Sequence, residues 1–141
     1  MIAKPKISPE EYRKILETLD LDTIYVSELN SRFKDECLSP SLKLHIDEKN
    51  SFVQENNILK VVYTFKLAAK DDTMEEPGIS LTVKYVVRYQ VNKEVTITKE
   101  FMQVFSDLTI GMLLWTYFRE LVNNMVYRMG MPPLVLPLKK R

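Results

Sequence analysis

The sequence is poor in the residues from which metal, phosphate and disulfide sites are built. Its 141 residues include one cysteine, one histidine and three glycines. One cysteine cannot close a disulfide within the chain, and one cysteine with one histidine cannot complete a structural zinc site. The glycines are isolated at positions 78, 111 and 130, which excludes a glycine-rich phosphate loop. We therefore expect no metal and no other cofactor, and a reducing compartment such as the cytoplasm.

Residues that could form a catalytic centre are equally few. Nucleophilic catalysis needs a base oriented beside a serine or cysteine, whereas His45 falls on the polar side of a predicted strand. Cys37 has no histidine or second cysteine near it in sequence and is interpreted as a small apolar filler. The acidic residues between 71 and 76 lack the spacing of a calcium loop and are interpreted as a hairpin tip. The sequence predicts a protein that is not an enzyme.

Long apolar runs and an excess of one charge are also missing. The longest apolar run, residues 110 to 115, is far shorter than the ~20 residues that span a bilayer, and the N-terminus has no apolar signal core. The formal net charge is +1, and the only basic block is Lys139-Lys140-Arg141. Nucleic acid and membrane are therefore not expected partners.

The first part of the chain contains helix and strand signals. A capping residue (Ser8), a proline suited to the first turn (Pro9) and Glu11 predict a short N-terminal helix over residues 8 to 20. A strand is predicted at about 23 to 30, and residues 31 to 40 break its period, which indicates a crossing loop.

Alternating apolar and polar residues predict the rest of a sheet. Alternation begins at residue 42, is interrupted by a charged turn over residues 47 to 52, and returns over residues 59 to 67 and 79 to 91. One apolar and one polar face are typical of an antiparallel sheet covered on one side. Residues 94 to 105 are ambiguous and fit a short strand ending in a turn. The order predicts an α+β fold in a single domain, residues 1 to 141, with a four-stranded antiparallel sheet on a long C-terminal helix.

That long helix is predicted over residues 108 to 129 and ends at Gly130. It contains few charged residues, among them the adjacent Arg119 and Glu120, and apolar side chains fall on nearly every face. A helix that is apolar all round must be buried all round, so we expect a second copy to cover what the sheet does not. Val122 is assigned to the side away from the sheet. The predicted oligomer interface on the helix consists of Leu114, Phe118, Val122 and Met125.

The C-terminal segment resembles the bacterial protein-export chaperones of the SecB type. Their long helix carries a Tyr-x-Arg-Glu run, a Met-Val pair and an arginine before a Pro-x-Leu-x-Leu-x-Pro tail. This chain has Tyr117 to Glu120, Met125-Val126, Arg128 and the segment from Pro132 to Pro137. The family's first strand is also similar to residues 24 to 29, Ile-Tyr-Val-Ser-Glu-Leu.

The resemblance implies a fold, an assembly and a function. It implies four antiparallel strands followed by a long helix, to which this chain adds the short N-terminal helix. It implies dimers paired through the first strand, which contains Tyr25, and a dimer of dimers with the helices between two sheets. It implies an ATP-independent chaperone whose partners are unfolded or partly folded polypeptides.

Departures from the family pattern bear on mechanism. Glu28 matches an acidic position of the surface that docks the motor SecA, but the second acidic position is Arg32 here, and the usual acidic tail is absent. These losses argue against handover to SecA. They fit a chaperone dedicated to one client, such as the antitoxin of a toxin-antitoxin pair, as well as they fit a general export factor.

Apolar residues in polar surroundings are the candidates for client binding. Phe33 and Leu38 fall in the predicted crossing loop and Phe52 in the predicted charged turn, where burial is less obligatory than in a strand. Trp115 and Tyr127 on the long helix are further candidates. Two alternatives remain open: a hot-dog-like or cystatin-like enzyme or ligand carrier with an apolar pocket, and a purely structural oligomer or adaptor.

Overall fold

The computed structural model describes residues 7 to 92, 94 to 132, 134, 136 and 137. A four-stranded antiparallel sheet is covered on one face by helices, as the sequence predicts. The strands lie in the order β1-β4-β3-β2, so β1 and β2 are the edges. The elements are α1 (Pro9–Leu16), β1 (Leu19–Phe33), β2 (Lys43–Glu55), β3 (Ile58–Lys70), β4 (Ile79–Val91), α2 (Lys99–Phe105) and α3 (Gly111–Arg128).

Helix α1 begins as predicted and ends earlier. The Ser8 hydroxyl accepts a 3.2 Å hydrogen bond from the Glu11 amide, and Pro9 occupies the first turn. The prediction that the helix reaches residue 20 is wrong, because Leu19 to Leu21 pair with Tyr89 to Val91 of β4. Ladder hydrogen bonds to a central strand outweigh the local preference for another helical turn.

Strand β1 is longer than predicted in both directions. It pairs with β4 as far as Phe33, so Phe33 is the last residue of a strand and the crossing-loop assignment is wrong for residues 31 to 33. The pairing register shifts between Leu21 and Thr23 and again between Val26 and Glu28. Bulges of this kind twist an edge strand and interrupt its regular ladder.

Strands β2 and β3 form a hairpin whose turn lies after Phe52. The predicted charged turn at residues 47 to 52 is wrong, since β2 continues through it to Glu55. The chain reverses at Asn56, which has a φ of 55°, and Asn57. Asparagine tolerates this left-handed conformation and is favoured in two-residue hairpin turns.

The core lies between the helices and the two central strands. Odd-numbered residues of β3 and β4 face the helices and are buried, whereas most even-numbered residues lie on the opposite, open face. The predicted alternation over residues 59 to 67 and 79 to 91 is confirmed. The stacked rings of Phe65 and Phe118, with centroids 4.4 Å apart, fill the space between sheet and helix. Aromatic side chains therefore fill the space between the central strands and α3 at this point.

The connection from β1 to β2 packs tightly over the start of β4. The Lys34 amide donates a 2.8 Å hydrogen bond to the Gly78 carbonyl oxygen, and one turn of 3₁₀ helix follows at Asp35–Cys37. A Cβ atom at Gly78 would lie 2.8 Å from the Cys37 carbonyl oxygen and 2.8 Å from Leu38 Cδ2. Glycine is required at this position by close approach of the crossing segment.

The C-terminal helical region begins earlier than predicted. Residues 99 to 105 form helix α2, so their interpretation as a short strand and turn is wrong. The Thr98 hydroxyl accepts a 3.1 Å hydrogen bond from the Phe101 amide and caps this helix. One π-helical turn, Ser106–Ile110, joins α2 to α3.

Helix α3 has a buried face and a polar face, so the prediction that it is apolar all round is wrong. Exposed polar side chains lie along its outer side, at Glu120, Asn123, Asn124 and Arg128. Val122 is 1% exposed and packs in the core, which contradicts its assignment to the side away from the sheet.

The segment after α3 returns along the helix. The Arg119 Nε donates a 2.7 Å hydrogen bond to the Leu136 carbonyl oxygen, and the Leu136 side chain is buried in the core. Pro133, Val135 and the basic residues Lys139 to Arg141 lie outside the described residues. In the part of the chain that the structure describes, no helix is both long and apolar enough to cross a membrane.

Candidate functional site

The helices cover β3 and β4 but leave apolar side chains of edge strand β1 in solvent. Val26 pairs with Tyr85 and Leu29 with Val83, so both lie on the helix side of the sheet, as does Leu21 opposite Tyr89. Their exposed fractions are 52% for Leu21, 47% for Val26 and 45% for Leu29. We call these three residues, with the nearby Tyr117, the β1 surface. It extends the core face of the sheet beyond the area that the helices cover.

Tyr117 joins this surface to helix α3. Its ring contacts that of Tyr85 edge to face, with centroids 6.3 Å apart, and Tyr85 is the cross-strand partner of Val26. Burial, with a smaller contribution from the negative charge of Glu120, raises the pKa of Tyr85 to about 12. Tyr85, beneath the β1 surface, is only 4% exposed, whereas the outer side chains of that surface are exposed.

A second apolar surface lies between β2 and helix α2. Phe52 is half-buried on the helix side of β2, opposite Val61, and Met102 of α2 is buried beside it. Lys99, Gln103 and Asp107 border the same groove, whose volume is about 740 Å³. We call it the Phe52 groove. Phe52 and Met102 thus form a small apolar base within a polar border.

Gln54 of β2 holds α2 in place beside this groove. Its amide nitrogen donates a 2.6 Å hydrogen bond to the Val95 carbonyl oxygen, and its amide oxygen accepts a 2.8 Å hydrogen bond from the Ile97 amide. One side chain thus satisfies two backbone groups in the segment that leads into α2. Tyr12 of α1 stacks on Phe101 of α2 at 5.0 Å and holds the helix from its other side.

The other predicted client-binding residues do not gather at the Phe52 groove. Phe33 pairs with Ile79 and Leu38 packs against Gly78, so both lie at the end of the sheet where β4 begins. Phe33 and Phe52 are therefore about eight residue pairs apart along the strands, roughly 27 Å at 3.4 Å per residue. A single subsite cannot include both.

Trp115 and Tyr127 differ from each other in burial. Trp115 is buried, and its indole Nε1 donates a 2.8 Å hydrogen bond to the Pro137 carbonyl oxygen. Tyr127 is 72% exposed and lies among Glu120, Asn123 and Arg128 on the polar side of α3. Trp115 is thus a core residue covered by the returning tail, and only Tyr127 is accessible.

The predicted interface residues also divide into two groups. Leu114 and Phe118, like Val122, are buried by the sheet of the same chain and present no side-chain surface to a second copy. Met125 is half-buried at the edge of the core, and Tyr25 is exposed on the open face of β1. The interface assignment of Leu114, Phe118 and Val122 is therefore corrected to a core role.

Glu28 lies on the open face of β1, where its charge is compensated. Its carboxylate is 3.3 Å from the Lys84 ammonium on the adjacent strand. Four residues further along β1, the same open face carries Arg32. A docking surface that depends on negative charge is weak at this position.

Sheet order, the crossing segment and the long C-terminal helix together define a SecB-like fold. The structure is similar to that of a Mycobacterium tuberculosis SecB-like chaperone, Rv1957, solved in complex with a ChAD peptide from the antitoxin HigA1 (Rv1956). The TM-score is 0.73 with 13% sequence identity, over 91% of this chain and 92% of that one. The predicted fold class is confirmed.

A protein of unknown function from Streptococcus agalactiae aligns with a TM-score of 0.45 and 8% identity, over 84% of this chain and 96% of that one. That likeness is too distant to support an argument. No protein-family model matches the sequence, and no curated protein sequence matches it significantly.

The β1 surface was missed by sequence reasoning. The sequence did contain a signal for this surface, because apolar residues of the strand occur at both even and odd positions: Leu21, Ile24, Val26 and Leu29. Strict alternation predicts one apolar face, and only the two bulges bring Leu21, Val26 and Leu29 to the same side.

Proposed function

We propose that the protein is a cytoplasmic, ATP-independent chaperone that binds unfolded or partly folded polypeptides and assembles with further copies of itself. The observation that carries this proposal is the presence of two incompletely covered apolar surfaces on a SecB-like fold. Apolar area of this kind is stabilised when another chain removes it from water. The antitoxin peptide bound by the mycobacterial chaperone supports a polypeptide as the client class.

The two surfaces suit different occupants. Strand β1 is an edge with unpaired backbone groups along 15 residues, and the apolar residues of the β1 surface lie beside that edge. A second copy that pairs antiparallel with β1 would satisfy the backbone groups and cover Val26 and Leu29. The Phe52 groove is open to solvent, lies at the opposite edge of the sheet and has a polar border, which suits an extended client segment.

Dedication to one client, such as an antitoxin, is the finer proposal. It is supported by the compensated charge of Glu28, which argues against docking of SecA. It is also supported by the antitoxin-derived peptide of the structural neighbour.

The function is tested by light scattering of a denatured model protein that refolds with and without a several-fold excess of the chaperone, in the absence of nucleotide. We expect suppression of aggregation and, in native mass spectrometry, client bound to an oligomer. Unchanged aggregation with an intact oligomer would favour the structural-adaptor alternative.

A further inference from the structure

The open face of the sheet, opposite the helices, contains a groove that neither proposed surface uses. It has a volume of about 430 Å³ and lies near the β2–β3 turn. Its lining is partly charged and partly apolar, and the residues that matter here are Tyr25, Val53, Glu55, Ile58, Lys60 and Arg88. We call it the Lys60–Arg88 groove.

Two cations lie side by side in this groove. Lys60 of β3 and Arg88 of β4 are direct cross-strand partners, so their Cβ atoms are about 5 Å apart on the same face. Like charges directly opposite each other destabilise a strand pair. Lys84, four residues before Arg88 on the same strand and face, is compensated by Glu28, whereas Lys60 and Arg88 have no ion pair among the described residues.

Arg88 also has an unsatisfied donor. Its Nε is buried and has no hydrogen-bond partner in the described part of the chain, although most buried polar groups are paired. A guanidinium presents its donors in a planar fork that matches a carboxylate. An incoming carboxylate that binds between the Arg88 guanidinium and the Lys60 ammonium would relieve the repulsion between the two cations.

Apolar side chains border the cationic pair. Val53 is 54% exposed and Ile58 36% exposed, and both face the same groove as the ring of Tyr25. A ligand that fits must therefore present an anionic group next to an apolar one. Glu55 in the groove, together with Glu28 and Asp47 on the same face, limits the positive charge to the position of Lys60 and Arg88. This arrangement matches a ligand with a localised anionic group directed away from Glu55, and not a continuous phosphate backbone.

We propose that the Lys60–Arg88 groove docks an acidic polypeptide segment in which Asp or Glu adjoins an aliphatic or aromatic residue. This docking is independent of client binding on the helix side. It would allow the chaperone to hold a client and an acidic partner protein at the same time, on opposite faces of one sheet.

The test is fluorescence anisotropy with a short labelled peptide in which Glu alternates with Leu and Tyr, titrated with the full-length protein. The same peptide with Gln in place of Glu is the neutral control. We expect the acidic peptide to bind, and Arg88→Glu or Lys60→Glu to weaken it by about tenfold or more, since each change removes a charge-assisted contact. Lys66→Glu is the matched variant on the same face outside the groove, and we expect binding there within about twofold of the native protein.

Circular dichroism confirms folding of each variant, and Arg88→Gln replaces Arg88→Glu if the latter unfolds. Suppression of client aggregation should be unchanged in folded Arg88 variants, which separates this proposal from the proposed chaperone function. Equal affinity for the acidic and neutral peptides would overturn the proposal. Equal weakening of peptide binding by Lys66→Glu and Arg88→Glu would also overturn it. The same holds if a single-stranded oligonucleotide binds the native protein more tightly than the acidic peptide does and fails to bind the Arg88→Glu variant.

Discussion

The indole Nε1 of Trp115 donates a 2.8 Å hydrogen bond to the carbonyl oxygen of Pro137 and so ties the returning tail to the middle of helix α3. A second bond from Arg119 Nε to the Leu136 carbonyl oxygen lies one helical turn further on. Between them, the Leu136 side chain is 1% exposed. The tail therefore completes the core on the flank of α3.

This relationship predicts two different losses of stability. Trp115→Phe keeps an aromatic ring and removes the donor, so we expect the free energy of unfolding to fall by about 1 kcal/mol, with some added loss from the smaller ring. Leu136→Ala removes buried methyl groups and should cost about 2 to 5 kcal/mol. Urea denaturation measures both. A negligible effect of Leu136→Ala would mean that the tail does not contribute to the core.

Self-association is expected to depend on β1 rather than on Val122. Val26→Asp places a charge on the exposed β1 surface and should reduce the mass seen in native mass spectrometry while far-UV circular dichroism remains unchanged. Val122→Asp places an unpaired charge in the core and should cost about 4 kcal/mol or more, so the protein should unfold or aggregate.

Asn30→Asp is the matched control for Val26→Asp. It adds the same charge to the same strand on the open face, where Asn30 pairs with Thr82. We expect the Asn30→Asp variant to form an assembly with the same number of copies as the native protein. If both β1 variants dissociate, overall charge rather than the β1 surface is responsible, and if neither does, the second copy binds elsewhere.

Client affinity is expected to depend on Phe52. Phe52→Ala should weaken binding of an unfolded client by about tenfold if the ring is well desolvated in the complex. Because Phe52 is only half-buried in the protomer, Phe52→Ala should lower the free energy of unfolding by less than the ~3 to 5 kcal/mol expected for Phe65→Ala, which removes a fully buried ring. Affinity is measured by anisotropy with a labelled unfolded client, and stability by urea denaturation.

Val53→Ala provides the control for Phe52→Ala, since the adjacent side chain points to the opposite face of the sheet. We expect unchanged client affinity in this variant. A large loss of stability in Phe52→Ala with native client affinity would show that Phe52 is a core residue and that clients bind at another surface, such as that around Tyr127.

Acid sensitivity is expected from the contact between the crossing segment and the β3–β4 turn. The Ser39 hydroxyl donates to the Asp71 carboxylate, which also accepts hydrogen bonds from the amide and hydroxyl of Thr73 at 2.9 and 2.8 Å. These donors, Ser39 foremost, lower the pKa of Asp71. A lowered folded-state pKa contributes stability that is present above the unfolded pKa and is lost as pH falls through the folded value.

Ser39→Ala should therefore destabilise the protein at neutral pH. The difference from the native protein should shrink as the pH falls below about 4, the ordinary carboxyl pKa, and should vanish only below the lowered pKa that Asp71 has in the folded native protein. Urea denaturation across this pH range measures the effect. Ser41→Ala, in the same segment but with only its backbone amide bonded to Ser39, should behave as the native protein at every pH. A difference that persists unchanged at low pH would show that Ser39 acts through packing or through its bond with the Ser41 amide rather than through the Asp71 charge.

The local features of this fold were predictable because their causes are local. The Ser8 cap requires only a hydrogen bond from the backbone amide three residues later. The strict alternation of β3 and β4 reflects burial of one face on both central strands. Phe52 was predicted as a binding residue, but for the wrong local structure, since the reversal lies at Asn56 and Asn57.

Strand pairing and helix packing determined the element boundaries and side-chain orientations that the sequence pattern did not predict. Leu19 to Leu21 leave the helix because β4 supplies hydrogen bonds to them, and two bulges in β1 bring three apolar residues to one side. Val122 is a core residue because the rotation of α3 directs it, together with Leu114 and Phe118, toward the sheet. Rotation of a helix and register of an edge strand depend on residues distant in sequence, whereas periodicity records only that a face is apolar, not which neighbour will cover it.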